Sequence, residues 1–160
     1  MIRASSRDRS RSATRRSFGL VALFGASLAA GPGGAHTQAG SLGSGASATD
    51  YYQILCSDDG TGPPASLAIQ VLDSAPAAAP LVSVQARNGR ELASTTDPTD
   101  GDPSASPLVF VNVAAGVVYD VLVDKSGVGG ENYVLTFHCL TGPNGTGLHT
   151  GTDLVTRQNQ

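Results

Sequence analysis

Between residues 50 and 139 apolar and polar positions alternate in short runs, and glycine, proline and aspartate separate the runs. The clearest hold a period of two: Leu67, Ile69 and Val71; Val109, Val111 and Val113; Tyr119, Val121 and Val123; Tyr133, Leu135 and Phe137. In an extended chain that period sends successive side chains to opposite faces, so each run predicts a strand with one face in a core. Strands are expected at 50–57, 66–73, 80–87, 90–95, 107–113, 117–124 and 132–139. Asn88-Gly89 falls between two of them and is the sequence of a tight hairpin. Ala114-Ala115-Gly116 reverses the chain between two others, and 74–80 and 95–107 are longer connections at the strand ends. No stretch in this region carries the 3.6-residue apolar repeat of an amphipathic helix. The expected fold class is all-β: a single antiparallel β-sandwich, jelly-roll-like, over residues 49–140.

The flanks read differently. Residues 36–48, "HTQAGSLGSGASA", hold one large apolar residue and are expected to form a flexible leader. Residues 141–160 are Gly/Thr-rich and are expected to be a loosely ordered tail, with "DLVT" as a short edge strand at most. Residues 1–35 carry Arg3, Arg7, Arg9, Arg11, Arg15 and Arg16, then an apolar run of 13 residues from Phe18 to Ala30, then Pro32 and small residues. That is the three-part pattern of a secretory signal peptide. The run falls short of the roughly 20 residues a membrane-spanning helix needs. "TRRSF" at Thr14–Phe18 resembles the twin-arginine export motif through Arg15 and Arg16; an ordinary secretory signal containing Arg-Arg is the alternative. Small residues offer two cleavage points, after Ala29 or after Ala35, and the second makes His36 the first residue.

Export fits the cysteines. Cys56 and Cys139 share faces with Tyr52 and Ile54, and with Tyr133, Leu135 and Phe137, so both point to the core side. An oxidising compartment would let them pair. The chain then has one expected disulfide, clamping its first and last strong strands.

Removal of residues 1–35 also changes the charge. The whole chain has a formal charge of −3, whereas the remainder keeps Arg87, Arg90, Lys125 and Arg157 against twelve acids, for −8. A basic nucleic-acid footprint is missing, so nucleic acid is not an expected partner. Nor is a membrane anchor expected after signal removal. A periplasmic or secreted location follows.

Four segments together resemble the bacterial pre-peptidase C-terminal domain: "DYYQI", "LVSVQARNGRELAS", "GVVYDVLVD" and "GGENYVLTF", covering residues 50–139. The cysteine pair departs from the usual pattern. The resemblance implies a jelly-roll-like β-sandwich that accompanies secreted enzymes, and some members of that family bind calcium through loop carboxylates.

Candidate chemistry is sparse. "DPTDGD" offers Asp97, Asp100 and Asp102 as oxygen ligands for calcium, with Asp58 and Asp59 in another loop; the EF-hand series and its closing glutamate are missing. Aspartate beside proline and glycine is also ordinary turn chemistry. An N-terminal His36, with its amine and ring, and His138 or His149 as partner, would suit copper; three solvated histidines are the alternative. No HExxH, CxxC, GxSxG or phosphate-loop motif is present, and His149 with Asp153 lies in a Gly/Thr-rich tail. No catalytic residue is expected. The mature chain holds no tryptophan, and Tyr51 is its one candidate exposed aromatic platform. The reading that follows is an exported, non-enzymatic module that binds a protein or surface polymer or serves as a scaffold. A periplasmic metal-binding protein is the alternative.

Overall fold

The strands form where the alternation places them. The computed structural model describes residues 34–74, 76, 80–114 and 116–160; the expected signal peptide, with Arg15 and Arg16, lies outside them apart from Gly34 and Ala35. Nine strands run β1 (His36–Leu42), β2 (Asp50–Ser57), β3 (Ser66–Asp73), β4 (Val82–Asn88), β5 (Glu91–Thr96), β6 (Val109–Asn112), β7 (Val118–Lys125), β8 (Glu131–Leu140) and β9 (His149–Gln158). Leu67, Ile69, Val71, Tyr119, Val121, Val123 and Leu135 are wholly buried, as their parity requires. The all-β antiparallel class is therefore as expected, and no helix among the described residues is long and apolar enough to cross a membrane.

The layering differs from the expectation of two stacked sheets. The strands form one antiparallel sheet in the order β5-β4-β7-β2-β9-β8-β3-β6, with β1 also on β8. Its two ends, β5 and β6, lie beside each other, so the sheet curls into a nearly closed barrel. The strand that closes the gap is β9. Cys139 and Leu140 of β8 pair with its first residues, and seven residues of β2 pair with the rest. Beyond that corner β1 takes over the edge of β8, from Glu131 to Phe137.

Both flanks therefore correct the sequence reading. The leader is largely strand β1, and Gly40 explains how it can be: a Cβ there would collide with Cζ and Oη of Tyr133, its register partner. A residue with almost no side chain is what lets β1 lie over a core tyrosine. The tail is largely β9, an interior strand whose core-side residues include threonines. Thr152 Oγ1 accepts from the Cys139 N–H at 3.0 Å and donates to the Thr150 carbonyl at 2.9 Å. A β-branched residue suits a strand without being hydrophobic, which is why apolar periodicity overlooks this one.

Cys56 and Cys139 form the expected disulfide, with 5.7 Å between their Cα atoms. It joins β2 to β8 across β9. A closed loop spanning 83 positions is worth about 4–5 kcal/mol in the chain-entropy account. The β4–β5 hairpin also forms, with a shifted turn. Asn88 pairs with Glu91, so the loop is Gly89-Arg90, with glycine at φ 59° in the first position, where type II′ hairpins place it. Asn88 instead turns its buried side chain inward and holds the β6–β7 turn, donating to the Gly116 and Val118 carbonyls and accepting from the Ala114 N–H.

Candidate functional site

One end of the barrel gathers carboxylates. Asp73 ends β3, Asp97 and Asp100 lie in the β5–β6 connection, and Glu131 begins β8. Asp97 is wholly buried and organises the loop: Oδ2 accepts the Asp73 N–H at 2.7 Å and Oδ1 accepts the Thr99 N–H at 3.1 Å. The Gly101 N–H donates to the Asp73 carbonyl at 3.1 Å, which carries Asp100 inward.

Asp73, Asp100 and Glu131 then bring one carboxylate oxygen each to within 4.8 Å of one another. Asp73 is 0 % and Glu131 2 % exposed. Asp73 Oδ2 accepts the Val82 N–H at 2.9 Å. Asp73 Oδ1, Glu131 Oε2 and both Asp100 oxygens are buried without a hydrogen-bond partner among the described residues. Burial and the neighbouring Asp100, Glu131 and Asp97 charges push the Asp73 carboxyl up to about 6, and burial and Asp100 likewise raise Glu131. Lys125 is the nearby cation; it draws Glu131 partly back, but its ammonium donates to the Gly43 and Gly129 carbonyls.

Four carboxylates face one ammonium. Like charges this close cost about 3 kcal/mol per pair at the effective dielectric of a protein, and buried oxygens with no donor add the cost of lost hydration. A bound cation would remove both penalties. The donors are all oxygen, which suits a hard cation rather than zinc or copper. Their mixed strand and loop origin suits the flexible shell of calcium better than the strict octahedron of magnesium.

The sequence reading located this end only in part. Of the "DPTDGD" run, Asp100 joins the cluster and Asp97 supports it. Asp102 makes a turn, its Oδ1 accepting the Ser104 N–H at 2.7 Å. Asp58 and Asp59 are likewise turn residues: Asp58 Oδ1 accepts from Gly60 and Gly62, and Asp59 Oδ1 from Thr61. Asp73 and Glu131 were missed. Each stands at a strand end in a core-facing position, a signal the sequence does carry.

The histidines lie elsewhere. His36 opens β1 with its ring stacked on Phe137 at 5.9 Å, and His138 and His149 stack on each other at 4.2 Å. None joins the carboxylates, which are the one group of three or more metal-ligating side chains this close together among the described residues. Asp153 is exposed on β9. No family model, curated protein or solved structure matches this chain.

Proposed function

We propose that this chain is an exported, non-enzymatic β-barrel module that takes up a calcium ion at one end and acts by binding rather than by catalysis. The observation that carries the cation is the convergence of buried, partnerless oxygens from Asp73 and Glu131 on Asp100. The internal disulfide supports export, since such bonds persist outside the reducing cytosol. Calcium would tie together β3, β8 and the β5–β6 connection, so its first effect is on the stability of that end.

The test is calcium added to protein stripped with EDTA, followed by titration calorimetry and thermal unfolding. A single site, filled to a hundred times its Kd, contributes about 2.7 kcal/mol. For a domain of this size that is a rise in Tm of roughly 10 °C. Asp100→Asn and Glu131→Gln should lose the response. No heat of binding, with one Tm in calcium and in EDTA, would refute the cation reading.

A further inference from the structure

The outer face of β5, β4, β7, β2 and β9 carries a second site, independent of the carboxylates. Strand register builds it in two adjacent rows. The first runs Leu92, Arg87, Asp120, Gln53 and Val155; the second runs Ser94, Gln85, Leu122 and Tyr51. Six residues of these rows, Leu92, Arg87, Asp120, Gln85, Leu122 and Tyr51, line an open groove of about 380 Å³. Leu92 and Leu122 are 64 % and 40 % exposed there.

The polar side chains in the groove hold one another in place. Asp120 Oδ1 accepts from the Tyr51 hydroxyl at 2.6 Å and from Gln53 Nε2 at 3.1 Å, and Oδ2 accepts from Arg87 at 3.2 Å. Arg157 donates to Gln53 Oε1 at 2.9 Å, and Gln85 Nε2 reaches Asp124 at 3.3 Å. Groups already fixed lose little freedom when a ligand arrives. Arg87 and Arg157 balance Asp120 and Asp124, so the patch is neutral on a chain that is otherwise strongly acidic. An anion meets Asp120 and a cation meets two arginines. The central strands β4, β7 and β2 have their backbone groups paired on both sides, so a peptide lying over them gains no strand edge.

A neutral ring with hydroxyls around its rim and C–H groups on its faces fits such a surface. We propose that this groove binds a neutral oligosaccharide, whose apolar face lies on Tyr51 and Leu122 and whose hydroxyls exchange hydrogen bonds with Asp120, Arg87 and Gln85. Asp120, Arg87 and Gln85 present a planar carboxylate, guanidinium and amide; Asp120 keeps one acceptor position beyond its three internal bonds, and Arg87 and Gln85 keep free donors. The proposal does not rest on the cation reading, because no groove residue belongs to that cluster.

The experiment is native electrophoresis of the mature chain through gels containing β-glucan, xylan, galactomannan or amylopectin, run in EDTA and again in calcium. Amide shift mapping follows, with the hexasaccharide of whichever polymer retards the protein. Retardation by at least one polymer is expected, insensitive to salt, with the shifts centred on Tyr51, Gln53, Gln85 and Asp120. Tyr51→Ala and Gln85→Ala should each weaken binding at least about tenfold while remaining folded at the assay temperature, and His149→Ala should bind as the parent does. Lack of retardation by all four polymers overturns the proposal. So does equal retardation of Tyr51→Ala, or a shift map centred elsewhere. Retardation in EDTA alongside a failed calcium titration would leave the groove standing and remove the cation.

Discussion

Two buried carboxylates flank Tyr133, and the molecule treats them in opposite ways. On one side Asp50, wholly buried at the start of β2, is surrounded by donors. Its Oδ2 accepts the Tyr133 hydroxyl at 2.5 Å, with the Tyr52 hydroxyl 2.6 Å from that of Tyr133, and its Oδ1 accepts the Gln160 N–H at 2.8 Å. On the other side Asp73 stands opposite Tyr133 in the β3–β8 register, and beside it Asp100 and Glu131 add charge rather than donors. Both carboxylates are equally hidden from water. What distinguishes them is the supply of hydrogens: the chain completes the first site itself, and at the second it leaves Asp73 Oδ1 without a donor.

Removal of the carboxylate at the completed site should have the largest effect. Asp50→Ala leaves one hydroxyl of the Tyr52–Tyr133 pair without an acceptor and strands the Gln160 backbone N–H, a loss of about 3 kcal/mol or more. Urea unfolding should show it equally in calcium and in EDTA. At the incomplete site the sign should depend on the medium. With calcium, Asp100→Asn forfeits up to about 2.7 kcal/mol of ligand-linked stability. In EDTA the same variant loses only a repulsive charge and should be more stable than the parent, by at most about 3 kcal/mol for each like-charge pair relieved. If Asp100→Asn is destabilised in both media, the two sites are alike and the contrast fails.

Gly40→Ala probes the completed site through the hydroxyl end of the Tyr133 ring. The added methyl meets the tyrosine ring, and displacement of that ring pulls its hydroxyl from Asp50. Overpacking of this kind costs about 1–3 kcal/mol. The loss should vanish against a Tyr133→Phe background if it acts through the hydroxyl, and persist there if it acts through the ring alone.

How much of this was legible in the sequence follows from the same physics. Period-two alternation located most of the strands from β2 to β8 through their apolar faces, whereas β5, whose one buried residue is Thr95, was marked by the Asn88-Gly89 turn before it. Alternation could not find β1, whose decisive residue is a glycine, or β9, whose core face includes Thr150 and Thr152. Missing β9 also hid the barrel, since β9 is the strand that joins the β2 side to β8. Parity placed both cysteines correctly, because a disulfide needs only facing positions. The cation cluster was half visible: a local run exposes Asp100, while Asp73 and Glu131 are 58 positions apart in the chain and meet only through the β3–β8 pairing. The groove was less legible still. Tyr51 stood out as an exposed aromatic, but the other residues that line the groove come from three further strands, β4, β5 and β7, and depend on a register that no single segment encodes.

The smallest expected effect concerns another buried atom without a hydrogen-bond partner among the described residues, Nδ1 of His138. Burial, with His149 and His36 nearby, holds the His138 imidazole below its ordinary range. The folded state therefore sheds a proton that the unfolded chain takes up near pH 6.5. The resulting stability is fully present above that value and is lost as the pH falls through the lower folded value. Asp73 works in the opposite sense, since a carboxyl raised to about 6 favours the folded state as it becomes protonated. The difference between parent and variant isolates the histidine. In EDTA, between pH 7.5 and 5.5, the parent should lose Tm relative to His138→Gln as the pH falls. Parallel curves would mean that the stacked pair accepts its proton as readily folded as unfolded, and that a partnerless nitrogen, unlike a partnerless carboxylate, costs this barrel nothing.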